Sequence, residues 1–244
     1  MNRIYVVGMG PGNEEQMTYQ AVNALEESDV IIGYTVYLEL LPKRFKDKRL
    51  LSTPMRREKE RCRLCFEEAG KGNTVSMICS GDAGVYGMAS LIYEIGKEHP
   101  ETEIIVIPGI TAALSGAALL GAPVNHDFCL ISLSDLLTPW EKIEKRLICA
   151  AEADLAIVLY NPSSRHRPDH LKRACDILLM HTEGSRVCGT VENIGRKDTV
   201  IGTCTLEELR DKSVNMFTTV FIGNSMTKLI NGRMVTKRGY GTEV

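Results

Sequence analysis

Near its start the sequence reads Ile4-Tyr-Val-Val-Gly-Met-Gly-Pro-Gly12, an apolar run that leads directly into glycines. Such a run is typical of a buried strand followed by a loop whose backbone approaches a ligand closely. The same order of strand, glycine loop and helical pattern recurs at Ser80-Gly-Asp-Ala-Gly-Val-Tyr86 and at Pro108-Gly-Ile-Thr-Ala112. Ligands bind where such loops gather at the carboxyl ends of strands, so one shared pocket is the most economical interpretation.

Short apolar runs alternate with helical patterns along the whole chain, which predicts an α/β fold. The predicted strands cover residues 4–7, 30–32, 75–79, 104–107, 128–133, 155–160, 187–191, 200–203 and 219–222. The predicted helices cover residues 16–27, 56–70, 86–98, 111–121, 139–152 and 168–181. Gly121 and Pro123 end a helix of small residues, so we expect two domains, residues 1–123 and 124–244.

The composition limits the classes of partner. The chain of 244 residues carries 29 Lys and Arg against 31 Asp and Glu, a formal net charge of -2, which argues against binding to nucleic acid or an anionic membrane. The apolar run at 4–7 is too short for a signal-peptide core, and no apolar stretch reaches the length of a membrane span. We therefore expect a cytoplasmic protein.

The first glycine loop does not fit the common nucleotide motifs. A dinucleotide fingerprint needs a third glycine where Asn13 stands and an acid at the end of the second strand, where Tyr34 stands. Pro11 removes a backbone donor, and no Gly-Lys-Ser/Thr follows. The loop is thus either a tight turn or part of a different kind of ligand site, and Asp82 and Thr111 in the later loops can also act as helix caps.

The eight cysteines do not suggest a metal site. Cys62-Arg-Leu-Cys65 stands alone inside a charged helical pattern, without the second ligand pair that a structural zinc requires. We expect these cysteines to be reduced residues of a cytosolic protein, and we expect no protein-bound metal.

A polar loop precedes the predicted helix at residue 139. Thr138, Pro139 and Glu141 fit a capping box in which Thr138 is the N-cap. That pattern leaves Ser132 and Asp135 unexplained, and we expect both to line a substrate site, where they would handle a proton or a lactone.

Basic residues that can hold an anionic ligand form clusters. Arg56-Arg-Glu-Lys-Glu-Arg-Cys-Arg63 has alternating signs and fits a solvated helix face better than an anion site. Arg165-His-Arg167 follows a strand end and is the preferred carboxylate site. Arg196, after Asn193, is a further candidate.

Taken in order, the three glycine loops, Tyr160-Asn-Pro162 and Val191-Glu-Asn-Ile-Gly195 resemble the tetrapyrrole methylase family across essentially the whole chain. Ser132-Leu-Ser-Asp-Leu-Leu-Thr-Pro-Trp-Glu141 and Arg238-Gly-Tyr240 resemble the branch of that family that serves cobalamin biosynthesis. That branch methylates C(17) of a precorrin-3-type tetrapyrrole with contraction of the macrocycle.

The resemblance implies two αβα domains, with S-adenosylmethionine bound in a cleft between them and converted to S-adenosylhomocysteine, and a homodimer. It implies that the cofactor is contacted by Gly10, Pro11, Gly12, Gly81, Asp82, Val85, Thr111, Ala112, Asn161 and Ile194. An anionic tetrapyrrole would then meet Arg165, Arg167, Asn193 and Arg196. Some relatives have an aspartate at the position of Tyr34, so here Tyr34 either orients the substrate or packs at the cleft mouth.

Two other functions share these features. A non-catalytic protein that holds a tetrapyrrole would keep the same pocket, and a methylase of the same fold can act on another tetrapyrrole position or on another substrate. The near-neutral charge argues against an RNA substrate.

Overall fold

The computed structural model of the chain describes residues 2–240. The chain divides into two units, residues 1–112 and 113–244. The boundary predicted near residue 124 lies later than this division. The helix between the two positions packs within the second unit, as described below.

The first unit is built on a five-stranded parallel sheet with the strand order β3-β2-β4-β1-β5. Its strands are β1 (Asn2–Gly8), β2 (Val30–Tyr34), β3 (Arg49–Thr53), β4 (Thr74–Cys79) and β5 (Thr102–Ile107). Its helices are α1 (Tyr19–Glu27), α2 (Thr35–Glu39), α3 (Glu58–Gly70) and α4 (Ala89–Gly96), with short 3-10 turns at Glu14–Gln16 and Lys43–Phe45.

Alternating apolar residues place helices on both faces of this sheet. In β1, Ile4 and Val6 join the cluster that packs against α3 and α4. Tyr5 and Val7 join the opposite cluster, which includes residues of α1 and α2. Strands buried on both faces read as continuous apolar runs, which is why the sequence revealed them. The predicted αβα layers are confirmed for this unit.

The second unit has a mixed five-stranded sheet, β10-β9-β11-β8-β7, and a three-stranded sheet, β12-β13-β6. Its strands are β6 (Gly121–Ala122), β7 (Phe128–Ser132), β8 (Ala156–Tyr160), β9 (Val187–Glu192), β10 (Val200–Thr205), β11 (Thr218–Ile222), β12 (Thr227–Ile230) and β13 (Arg233–Thr236). Its helices are α5 (Ala112–Leu120), α6 (Trp140–Glu152), α7 (His170–Leu179) and α8 (Leu206–Arg210). Strands β7, β8 and β9 run in one direction, because β8 and β9 are both antiparallel to β11 and β7 is parallel to β8.

The two faces of the larger sheet are covered differently. Helices α6, α7 and α8 pack on one face in a single apolar cluster. On the other face, Gly116 of α5 lets Phe221 and Ile194 approach to within 3 Å of where its Cβ would stand. Helix α5 therefore belongs to the second unit, although it directly follows the third glycine loop of the first.

Several local predictions differ from the structure. Helix α6 begins at Trp140 with Pro139 at the N-cap and no side-chain cap, so the capping box predicted at Thr138 is wrong. A capping box forms instead at Thr205 and Glu208, before α8. Short or half-exposed elements such as α2, β3 and the three-stranded sheet were not predicted, because they carry few consecutive apolar residues. No helix among residues 2–240 is long and apolar enough to cross a membrane.

A buried carboxylate ties the end of α3 to β3. The side chain of Glu68 is 2% exposed and accepts hydrogen bonds from Arg49 at 2.7 and 3.1 Å, from Lys71 at 2.7 Å and from Asn73 at 2.9 Å. The hydrogen bond from Lys71 is the largest influence on this carboxyl and, together with Arg49, lowers its pKa despite burial.

Glu68→Gln should lower the free energy of unfolding at pH 7 by about 1 to 3 kcal/mol, because hydrogen bonds to a charged group are lost. A lowered folded-state pKa gives stability that is present above the ordinary value of 4.5 and is lost as the pH falls through the folded value. The difference in the free energy of unfolding between wild type and Glu68→Gln should therefore become smaller at acidic pH. Urea unfolding at several pH values measures it, with the exposed neighbour Glu67→Gln as the control. Equal effects of the two variants would contradict the assignment.

Candidate functional site

The first two glycine loops are joined backbone to backbone at the carboxyl edge of the first sheet. The Gly10 N–H donates to the Gly81 carbonyl at 3.0 Å, and the Gly81 N–H donates back to the Gly10 carbonyl at 2.7 Å. Gly10 has φ +74, a left-handed conformation that glycine adopts without strain. The ends of β1 and β4 are thus fixed together.

Asp82 brings the third loop into the same assembly. One carboxylate oxygen accepts the N–H of Gly84 at 2.7 Å, and the other accepts the N–H of Gly109 at 2.9 Å. Helix α4 begins only at Ala89, so the helix-cap role considered for Asp82 is wrong. Its side chain links the loop after β4 to the loop after β5.

Gly109 shows why glycine is needed in the third loop. A Cβ added there would overlap the carbonyl oxygen of Gly81 and come within 2.6 Å of the carbonyl group of Gly8. A Cβ built on Gly81 would have the Cα of Thr111 as its nearest neighbour, at 3.6 Å. The structure therefore joins Gly10, Gly81, Asp82 and Gly109 of the three loops that the sequence pattern singled out. The same loops also contain Pro11, Gly12, Val85 and Ala112.

Tyr34 ends β2 at the same sheet edge, beside a buried arginine. Arg61 is 5% exposed, donates to Thr53 Oγ1 at 2.8 Å, and its guanidinium carbon lies 6.0 Å from the centre of the Tyr34 ring. The sequence interpretation of Arg56–Arg63 as a solvated face is therefore wrong at Arg61. The aliphatic part of the Arg61 side chain is buried, and hydrogen bonds hold its guanidinium at β3. The charge pattern alone did not indicate this burial.

Ser132 is the last residue of β7, and Asn161 and Asn193 directly follow β8 and β9. All three therefore lie at the carboxyl edge of the second sheet. Asn161 has φ +55, and its amide Nδ2 donates to Ser132 Oγ at 2.9 Å. Asn193 also has a left-handed backbone, φ +54. Tyr160 Oη accepts the N–H of Ala113 at 2.6 Å, which fixes the start of α5 to β8.

The predicted arginines differ in what surrounds them. Arg165 is exposed at the tip of a turn closed by backbone bonds between Ser164 and Arg167. Arg167 Nε donates to Ser164 Oγ at 3.2 Å, whereas its Nη1 is buried without a partner among the described residues. The guanidinium of Arg196 lies 4.9 Å from the Phe217 ring. Ile194 is buried, 5% exposed.

Asp135 lies beside a histidine that the sequence analysis missed. Its side chain is one-third exposed, and Oδ2 lies 3.1 Å from Nε2 of buried His170. Burial alone would raise the pKa of this carboxyl, but the contact with His170, a backbone N–H and the charge of Arg167 outweigh burial and lower the pKa. His170 begins α7, far from Asp135 in sequence, and no motif joined the two.

Among residues 2–240 no group of three or more His, Cys, Asp or Glu side chains is arranged to hold a metal ion. Cys62 and Cys65 are buried in α3. Burial raises the pKa of the Cys62 thiol to about 12 and that of Cys65 well above 9.0. Both remain protonated thiols at neutral pH, in agreement with their interpretation as core residues.

Comparison with known proteins identifies the family. A family model described as "Tetrapyrrole (Corrin/Porphyrin) Methylases" matches residues 3–210. The chain belongs to the tetrapyrrole methylases. Members of this family use S-adenosylmethionine, and the α/β fold with two domains predicted from the resemblance is confirmed.

The similarity to individual members extends over nearly the whole chain. The chain is 45% identical to a Salmonella typhimurium protein named "Probable cobalt-factor III C(17)-methyltransferase", over 96% of this chain and 98% of that one. It is 38% identical to the "Precorrin-3B C(17)-methyltransferase" of a Sinorhizobium species, over 93% and 91%. The crystal structure of the methyltransferase CobJ superposes with a TM-score of 0.90 at 37% identity, covering 97% of this chain and 100% of that one.

Gly109→Ala should destabilise this tetrapyrrole methylase and weaken its binding of S-adenosylmethionine, because the new Cβ would push the third loop away from Gly81. The cost of such overpacking is about 1 to 3 kcal/mol. Thermal unfolding and calorimetric titration with the cofactor measure the two effects.

Gly70→Ala is the matched control for this change. A Cβ at Gly70 meets nothing within 4 Å, and alanine is the better helix former at the end of α3. Unchanged stability and cofactor affinity in Gly109→Ala would show that the close contact of the loops is not required.

Proposed function

We propose that the chain catalyses methylation of C(17) of a precorrin-3-type tetrapyrrole by S-adenosylmethionine, with contraction of the macrocycle, in cobalamin biosynthesis. The observation that carries the proposal is the near full-length similarity to two C(17)-methyltransferases, named for cobalt-factor III and for precorrin-3B. The polar clusters at the two sheet edges support it.

The joined glycine loops of the first unit are the proposed cofactor site. Their neighbouring backbone groups and the hydroxyl of Thr111 offer hydrogen bonds, and Val85 and Ala112 offer apolar surface, a combination that suits a nucleoside with an amino-acid tail. Asn161 and Ile194 are proposed as further contacts. When bound, S-adenosylmethionine supplies the methyl group on a sulfonium sulfur.

Arg167 is the preferred residue for binding the substrate's acetate and propionate groups. Its Nη1 is buried and has no partner in the described part of the chain, so a carboxylate can satisfy this donor, and a charge-assisted hydrogen bond of this kind is strong. Arg165, at the exposed turn tip, and Arg196 and Asn193 are proposed as secondary contacts. A chain with net charge -2 needs such local cations to hold an anionic macrocycle.

The protein contributes to methyl transfer mainly by positioning the cofactor and the substrate and by excluding water. Methyl transfer to a ring carbon needs that carbon in line with the bond that breaks, at roughly 3 to 3.5 Å. We assign Ser132 and Tyr34 to orienting the macrocycle. Asp135, whose lowered pKa keeps it ionised at neutral pH, is assigned to accepting a proton from the substrate.

A homodimer is also part of the proposal and is supported by the family resemblance. A cytoplasmic location is part of it too, because the eight cysteines are all free, as in a reducing compartment. Leu137, 99% exposed in the loop after Asp135, is an apolar residue that a second copy can cover. Analytical ultracentrifugation of the purified chain measures the oligomeric state.

Incubation with S-adenosylmethionine and either precorrin-3B or its cobalt-containing counterpart tests the function directly. We expect a product heavier by one methyl group, a changed absorption spectrum and formation of S-adenosylhomocysteine with at least one of the two macrocycles. Tight binding of both macrocycles without turnover would instead support a carrier protein. Methylation at another position would assign the chain to a different step.

Asp135→Asn should reduce turnover by about 10² to 10⁴-fold, the usual contribution of a general base, and leave cofactor affinity unchanged. Asp127→Asn, at an aspartate whose side chain is 87% exposed, is the matched control. Product formation and cofactor calorimetry are measured on both variants. Full activity of Asp135→Asn would remove this carboxylate from the mechanism.

A further inference from the structure

His170 is a buried, titratable side chain beside the proposed base. It is 7% exposed, and its Nε2 lies 3.1 Å from Asp135 Oδ2 without the alignment of a good hydrogen bond. A buried imidazole nitrogen this close to a carboxylate carries the proton, and leaving it poorly satisfied costs free energy. Contacts of this kind in ligand-free active sites often become aligned only when the substrate is bound.

The imidazole is held from its other side by aromatic packing. The Trp140 ring meets it edge to face, with centroids 5.0 Å apart and an interplanar angle of 77°. The Arg173 guanidinium lies 3.9 Å from the centre of the same indole. Trp140 and Arg173 therefore fix the ring plane of His170, so that Nε2 has a defined direction relative to Asp135.

The charged groups around the pair favour an ionised Asp135. Arg167, in the turn before α7, acts on the carboxylate with its positive charge. Arg173 places its positive charge over the Trp140 ring. Asp169, the N-cap residue of α7, is exposed, so water screens its negative charge. Asp135 is therefore a partly exposed carboxylate that lies next to His170 and is also influenced by the charge of Arg167.

We propose that His170 is the positioning residue for Asp135: its N–H holds the carboxylate ionised and in one orientation, while the exposed part of that carboxylate meets the macrocycle. The proposal rests on the function proposed above, because it takes Asp135 to contact the substrate. His170 itself does not contact the substrate.

The alternative is that His170 only fills space beside Trp140. Three variants separate the two roles. His170→Phe keeps an aromatic ring for Trp140 and removes the N–H, and His170→Gln keeps a neutral N–H donor. His181→Phe is the control, because His181 follows the end of the same helix and lies 3.7 Å from Glu152, away from the candidate site.

Titration of the Asp135 carboxyl by carbon-13 NMR tests the contact without any need for activity. We expect the Asp135 pKa to rise in His170→Phe, to rise less in His170→Gln and to be unchanged in His181→Phe. If His170→Phe does not fold, the smaller rise of the Asp135 pKa in His170→Gln tests the proposal. An Asp135 pKa that is the same in wild type and in the folded His170 variants would overturn the proposal.

The pH profile of kcat tests the consequence for the reaction. His170→Phe should move the acidic limb to higher pH. At neutral pH the carboxylate stays ionised, so the loss of its fixed orientation should lower kcat there by at least about tenfold, and His170→Gln should recover part of the loss. Cofactor affinity should stay within about twofold of wild type. A fall in kcat that is equal at every pH would show a structural role only. If wild type lacks C(17) methylation, the proposed function fails, while the NMR titration still decides whether His170 controls Asp135.

Discussion

The pairing of Gly10 with Gly81 is the contact on which the arrangement of the first unit's loops depends. Two reciprocal backbone hydrogen bonds join the ends of β1 and β4, and the carboxylate of Asp82 adds the loop after β5 by accepting the Gly109 N–H. A Cβ on Gly109 would overlap the Gly81 carbonyl oxygen, so the third loop can approach this closely only because Gly109 has no side chain. The glycines at these positions therefore serve the packing of loops on one another, and the same packing presents backbone donors and acceptors at one edge of the sheet.

The second unit carries the charged side chains proposed to bind and convert the substrate, although the chain as a whole is nearly neutral. Arg167 Nη1 is buried without a partner among residues 2–240. Asp135 lies 3.1 Å from His170, and the charge of Arg167 helps to lower the pKa of Asp135. Asn161 and Ser132 are joined by a hydrogen bond, so a proposed cofactor contact and a proposed substrate contact move together. A few local side chains thus provide the positive charge for an anionic substrate that the overall charge of -2 does not provide.

The sequence predicted the parts of the molecule that follow simple repeating physical rules. Buried parallel strands such as β1 and β4 read as apolar runs, and the glycine loops after them follow the same order each time. The sequence did not reveal the burial of Arg61, which lies between the charged, exposed residues Glu60 and Arg63 in α3, or the contact of His170 with Asp135. Both depend on which elements the fold brings together. Thr138 satisfied every local requirement of an N-cap, yet α6 begins one residue later than that pattern requires, with Pro139 at its N-cap.

A crystal structure of the protein with bound S-adenosylhomocysteine would test the central claim most directly. The claim is that the three joined glycine loops form the cofactor site. We expect the nucleoside and its amino-acid tail to contact residues 10–12, 81–85 and 111–112, with the Gly10–Gly81 hydrogen bonds and the Asp82 contacts intact. A ligand bound elsewhere, or loops that separate to admit it, would contradict this account.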